Sequence, residues 1–167
     1  MRYNFLISSA LLIVFYNQVY AQFETQSRYN IQSYLYTNMT LDIINDGYNN
    51  QLILDRIQNV SGQYWKLSQI EGLLDYYRLT PDFQQLKALD VINDSKDNKV
   101  WLDRIQNVTG QYWKITQING TKDVYRLSPY FQPSKSLEVM ANGKGKRVWL
   151  NKTKNIEGQF WKIKLVK

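Results

Sequence analysis

The chain has no cysteine and no histidine among its 167 residues, and only three prolines and eight glycines. Without these two side chains, disulfide scaffolds, thiol nucleophiles, serine–histidine systems and the usual zinc sites are all excluded. What remains for catalysis is carboxylate chemistry, and neither a cofactor nor a metal is expected. Long hydrophobic runs are also missing. The one apolar stretch, Phe5 to Phe15, is shorter than the roughly 20 residues that a spanning helix needs. Charge of one sign is modest: 21 Lys and Arg against 14 Asp and Glu give a formal +7. The basic residues are scattered with no arginine-rich run, so a nucleic-acid partner is not expected.

The N-terminal "MRYNFLISSALLIVFYNQVYA" places one positive charge before the apolar run and ends in small and polar residues. This reads as a secretory signal peptide over 1–21, cut after Ala21, and predicts a secreted or periplasmic protein with no membrane span after cleavage. Cleavage removes Arg2 as its only charged residue and lowers the formal charge from +7 to +6. The remainder has the size of one ordinary domain, long enough to bury a core without covalent staples.

Internal repetition dominates that remainder. "NVSGQYWKL", "NVTGQYWKI" and "NIEGQFWKI" place Trp65, Trp113 and Trp161 at intervals of 48 residues. The same offset carries Asp42 onto Asp90 and Glu138, Ile53 onto Trp101 and Trp149, and Tyr29 onto Tyr77 and Tyr125. Each unit holds four short runs with strand alternation, separated by Asn, Asp, Gly, Ser or Pro. The expected organisation is a leader over 22–27 and one all-β domain over 28–167, with repeats at 28–74, 75–122 and 123–167. In "KVWLDRI", Val100, Leu102 and Ile105 are expected on one face, with Trp101 and Asp103 on the other.

These Gln-x-Trp copies, each closing a unit after an "LDV"-like strand, resemble the ricin B-type β-trefoil lectins over essentially the whole mature chain. The resemblance implies three four-strand repeats with pseudo-threefold symmetry: a six-stranded barrel capped by three hairpins, with up to three shallow sugar sites. It implies that Trp65, Trp113 and Trp161 are core residues and that Gln63, Gln111 and Gln159 fix the backbone or support a site from its edge. A symmetric core that needs one large indole per unit argues the same way.

The family's sugar contacts centre on a second-strand carboxylate, here Asp42, Asp90 and Glu138. The sequence departs from the family at the aromatic position, where Asp55, Asp103 and Asn151 stand, and before the glutamine, where Gly62, Gly110 and Gly158 replace asparagine. Trp101 and Trp149 are the candidate replacement platforms. The strongest expected site joins Asp90, Trp101 and Asp103, and the second joins Glu138, Trp149 and Asn151. The first unit, with Asp42 and Asp55 around Ile53, lacks an aromatic face. Lys144, Lys146 and Arg147 suggest an acidic glycan at the third loop. Six Asn-x-Ser/Thr sequons occur, including Asn107 and Asn151.

The expected function is non-catalytic carbohydrate binding, with glycans or glycoconjugates as partners. The alternatives are a protein-binding trefoil that has lost sugar binding and a carboxylate hydrolase. Repetition favours binding over catalysis, since weak sites profit from being copied.

Overall fold

The computed structural model describes residues 22–43, 50–91, 99–140 and 147–167. The expected signal peptide and most of the three loops between second and third strands lie outside the described residues. Twelve strands are present among the described ones. Six form the wall of a barrel: β1 (Tyr29–Ser33), β4 (Trp65–Gln69), β5 (Tyr76–Pro81), β8 (Trp113–Gln117), β9 (Val124–Pro129) and β12 (Trp161–Leu165). Pairings β1–β4, β4–β5, β5–β8, β8–β9, β9–β12 and β12–β1, all antiparallel, close the ring. Closure leaves the wall with no free sheet edge.

The other six strands make three hairpins: β2 (Met39–Ile43) with β3 (Leu52–Arg56), β6 (Lys87–Val91) with β7 (Val100–Arg104), and β10 (Lys135–Val139) with β11 (Val148–Lys152). The hairpins touch one another. Gln51 bridges to Trp101, Ile53 bridges to Arg147, and the Leu102 N–H donates to the Asn50 carbonyl at 2.8 Å.

Alternation along short strands explains the core. Leu41, Leu54, Leu67, Leu79, Leu89 and Leu127 are fully buried with Trp65, Trp113 and Trp161. Each of these indoles also satisfies its N–H inside, donating to the carbonyls of Leu41, Leu89 and Leu137 at 3.4, 2.9 and 3.1 Å. A buried indole with a satisfied N–H combines a large apolar area with a fixed orientation. Ile105 departs from the expected face. β7 ends at Arg104, and Ile105 lies beyond it at 36% exposure.

The segment before β1 does more than lead into the domain. Phe23 is 5% exposed and belongs to the core. Its ring meets Tyr29, Tyr77 and Tyr125 edge-on, at centroid distances of 5.5, 5.2 and 5.4 Å. These tyrosines share the 48-residue register, so one unrepeated phenylalanine is ringed by three repeated rings. The Gln22 N–H donates to the Tyr77 hydroxyl at 3.1 Å and the Glu24 N–H to the Tyr29 hydroxyl at 2.8 Å.

Candidate functional site

Each Gln-x-Trp motif begins in a single 3-10 turn, Ser61–Gln63, Thr109–Gln111 or Glu157–Gln159, that lies against the carboxylate-bearing strand. The glutamine ties three pieces of chain together. The Gln111 amide donates to Asp90 Oδ2 at 3.0 Å and to the Arg104 carbonyl at 2.8 Å, and its Oε1 accepts the Gln106 N–H at 2.9 Å. Gln63 does the same with Asp42, Arg56 and Gln58, and Gln159 with Glu138, Lys152 and Lys154. One side chain thus binds both backbone groups and the strand carboxylate in each unit.

The glycine before it is required by proximity rather than by an unusual backbone. Positive φ among the described glycines is confined to Gly72 and Gly120. A Cβ at Gly62 would fall on Asp42 Oδ1 and the Ile43 carbonyl, and one at Gly110 on Asp90 Oδ1. At Gly158 the nearest atom would be the Val139 carbonyl, 3.1 Å away. The turn thus packs directly onto the carboxylate in the first two units.

The structure brings the second-unit residues together. Asp90 and Trp101 are directly opposed across the β6–β7 ladder, so their side chains share the face away from the Leu89–Leu102 core pair. With Asp103 they line a cavity of about 580 Å³, joined by Gln106, Thr109 and Phe131. Burial pushes the Asp90 carboxyl above its ordinary value, with the Gln111 amide pulling the other way. The same holds for Asp42 and Gln63. Trp101 is half-buried and its indole N–H has no hydrogen-bond partner among the described residues, unlike the three core indoles.

The other units are arranged differently. In the first, Ile53 and Asp55 line a cavity of about 410 Å³ with Arg147, while Asp42 is buried. In the third, Glu138 opposes Trp149 across the β10–β11 ladder but is 8% exposed with Oε2 on Gln159. Trp149 lines a narrower space of about 200 Å³ that it shares with Trp101, Gln51 and Arg147. Asn151 accepts the Lys152 N–H at 2.8 Å, as Asp55 and Asp103 accept those of Arg56 and Arg104. Lys144 and Lys146 lie outside the described residues.

Gln106, Thr109 and Phe131 were not expected at the site. Gln106 had a signal in the sequence, since "DRIQNV" is written identically in the first two units. Phe131 follows β9, far from β6 and β7 in sequence, and only the closed barrel brings it there. Chemically the cavity offers an indole and a phenyl for stacking on a C–H face. Asp90, Asp103, Gln106 and Thr109 supply hydrogen-bonding groups for hydroxyls. Among the described residues no group of three or more acids is placed to hold a metal ion.

No protein-family model matches the chain, and no curated protein matches it in sequence. Solved structures do. The chain is similar to the designed threefold-symmetric protein ThreeFoil, with TM-score 0.70 and 21% identity over 81% of this chain and 96% of that one. It is similar to the Macrolepiota procera ricin B-like lectin in complex with lactose, with TM-score 0.67 and 17% identity over 86% and 98%. A third neighbour is the Polyporus squamosus lectin bound to the human-type influenza-binding epitope Neu5Aca2-6Galb1-4GlcNAc, with TM-score 0.66 and 20% identity over 84% and 49%. Some neighbours are larger enzymes, and the chain spans 33% of an endo-β-galactosidase from Clostridium perfringens. At these identities the likeness shows the fold: all-β, with β-trefoil proteins and ricin B-like lectins as its neighbours.

Proposed function

We propose that this chain is a secreted, non-catalytic carbohydrate-binding β-trefoil of three four-strand units, with its principal site in the second unit. The observation that carries the reading is that Asp90, Trp101 and Asp103 line one cavity of about 580 Å³. In this reading the Trp101 indole stacks on the apolar face of a sugar ring. Asp90 and Asp103 accept hydroxyl hydrogen bonds, while Gln111 holds Asp90 in place from behind. Two neighbours with this fold are lectins with sugars bound. The carboxylate recurs in all three units as Asp42, Asp90 and Glu138, a pattern that suits repeated binding better than a single reaction centre.

The experiment is a broad glycan panel probed with the mature protein, Asp90→Ala and Trp101→Ala. The reading expects the intact protein to retain one glycan class, both variants to lose it by at least about tenfold, and the bound glycan to be recovered uncleaved. Retention by either variant at full strength contradicts the site assignment.

A second reading, a protein-binding surface, is favoured by one feature of the barrel wall. Tyr76, Tyr112 and Tyr130 cluster at centroid distances of 5.2 and 6.3 Å, with Arg78 and Lys114 over two of the rings. The register-equivalent place between the first two units instead holds Arg28 and Lys66 near Asp82, at 3.6 and 3.9 Å. Surfaces that break the symmetry in this way suit a single protein partner.

A further inference from the structure

The cavity of the second unit has an electrostatic character opposite to that of the molecule. The chain carries a formal +7, yet the described lining of this cavity includes Asp90 and Asp103 and no lysine or arginine. Internal repetition supplies a control for whether the second charge is structural. Asp103 accepts the Arg104 N–H at 2.7 Å, and in the third unit the neutral Asn151 makes the same bond to Lys152 at 2.8 Å. The local backbone motif therefore needs a side-chain oxygen at this position and not a negative charge. Asp90 is already held by Gln111, so binding hydroxyls needs no second acid beside it. The walls add an independent feature, because Trp101 and Phe131 flank the acids with aromatic surface, and aromatic faces with carboxylates together attract cations.

Resting on the carbohydrate-binding reading above, we infer that the second-unit site selects glycans carrying a free amine, a 2-amino-2-deoxy sugar in its ammonium form, over their N-acetylated, neutral or acidic counterparts. The ammonium sits between the two carboxylates, and the sugar's C–H face lies on Trp101. Uronic or sialic acids are rejected, since their carboxylates would face two like charges. Non-specific attraction does not mimic this result, because a net-positive protein repels a cationic oligosaccharide everywhere except at a locally acidic site.

The test compares a β-1,4-linked glucosamine tetrasaccharide with its fully N-acetylated form by titration calorimetry. It is run on the mature protein at about pH 6 and repeated at about pH 7, because burial raises the Asp90 carboxyl above the ordinary carboxylate range. The free-amine form is expected to bind at least about tenfold more tightly at low salt, and that ratio is expected to shrink in about 0.5 M salt. In Asp103→Asn, which copies the third unit's own residue, the ratio is expected to fall towards unity. Equal binding of the two forms, or a ratio unchanged in Asp103→Asn, overturns the amine selectivity while leaving carbohydrate binding intact. Retention of no glycan of any kind on the broad panel overturns the parent reading instead.

Discussion

Replacing Phe23 with alanine in the mature protein empties the mouth of the barrel where Tyr29, Tyr77 and Tyr125 converge. Phe23 is 5% exposed and makes three edge-on ring contacts at 5.2 to 5.5 Å. Burying a phenylalanine removes on the order of 150 to 200 Å² from water, worth about 4 to 5 kcal/mol at ~25 cal/mol per Å². Measured Phe→Ala losses in cores run from about 3 to 5 kcal/mol. Residues before β1 are free to peel away, which caps the loss near the lower end, about 3 kcal/mol. For a domain of this size each kcal/mol moves the melting temperature by roughly 2 to 4 °C, so Phe23→Ala is expected to melt about 6 to 12 °C lower by calorimetry. Deleting residues 22–27 is expected to have a similar effect, because it empties the same space and also removes the Gln22 and Glu24 hydrogen bonds to Tyr77 and Tyr29. Phe23→Leu is expected to lose less than half as much. A melting temperature for Phe23→Ala within about 1 °C of the parent protein refutes the argument that this segment is part of the core.

Gly62→Ala and Gly110→Ala place a methyl on a carboxylate oxygen, whereas Gly158→Ala finds its nearest atom at 3.1 Å; denaturant titration is expected to show losses of about 1 to 3 kcal/mol for the first two and less for the third. Gln111→Ala strips partners from Asp90, the Arg104 carbonyl and the Gln106 N–H, and is expected to cost about 2 to 4 kcal/mol in the same assay. Burial raises the Asp42 and Asp90 carboxyls above 3.8, so the folded state takes up protons more readily than the unfolded chain. That contribution is fully present below the unfolded value and is lost as pH rises through the folded one. Stability measured between pH 3 and 7 is therefore expected to rise with pH for Asp42→Asn/Asp90→Asn relative to the parent, and a relative fall would show that Gln63 and Gln111 stabilise the anions more than burial penalises them.

The parts of the fold that were legible in the sequence are those written three times. Trp65, Trp113 and Trp161 are spaced so regularly that a shared core position was the natural reading, and each is fully buried with its N–H on a second-strand carbonyl. Alternation placed Trp101 beside Asp103 on one face of β7, and the family resemblance supplied Asp90; that Asp90 stands directly opposite Trp101 is set by the β6–β7 ladder. Features written once, or set by long-range closure, were not legible. Phe23 has no copy to align with, and its three tyrosine partners come from three different units. Phe131 reaches the cavity only because β9 and the β6–β7 hairpin are brought together by the barrel. The glycines of the motif stood out in the sequence as replacements for the family's asparagine; their cause is the approach of the turn to Asp42 and Asp90, which involves residues about twenty positions away. Trp149 matches Trp101 in register, yet the space it lines is shared with Trp101, Gln51 and Arg147 rather than with Glu138 and Asn151.

Four of the five tryptophans divide the labour: Trp65, Trp113 and Trp161 are buried in the core, and under the proposed function Trp101 meets the ligand. Indole N–H resonances of uniformly ¹⁵N-labelled protein, followed as a panel-identified glycan is titrated in, report on all of them in one spectrum. The account predicts that the Trp101 signal moves in step with saturation while those of Trp65, Trp113 and Trp161 stay in place. Saturable glycan binding that leaves the Trp101 resonance unmoved would contradict it.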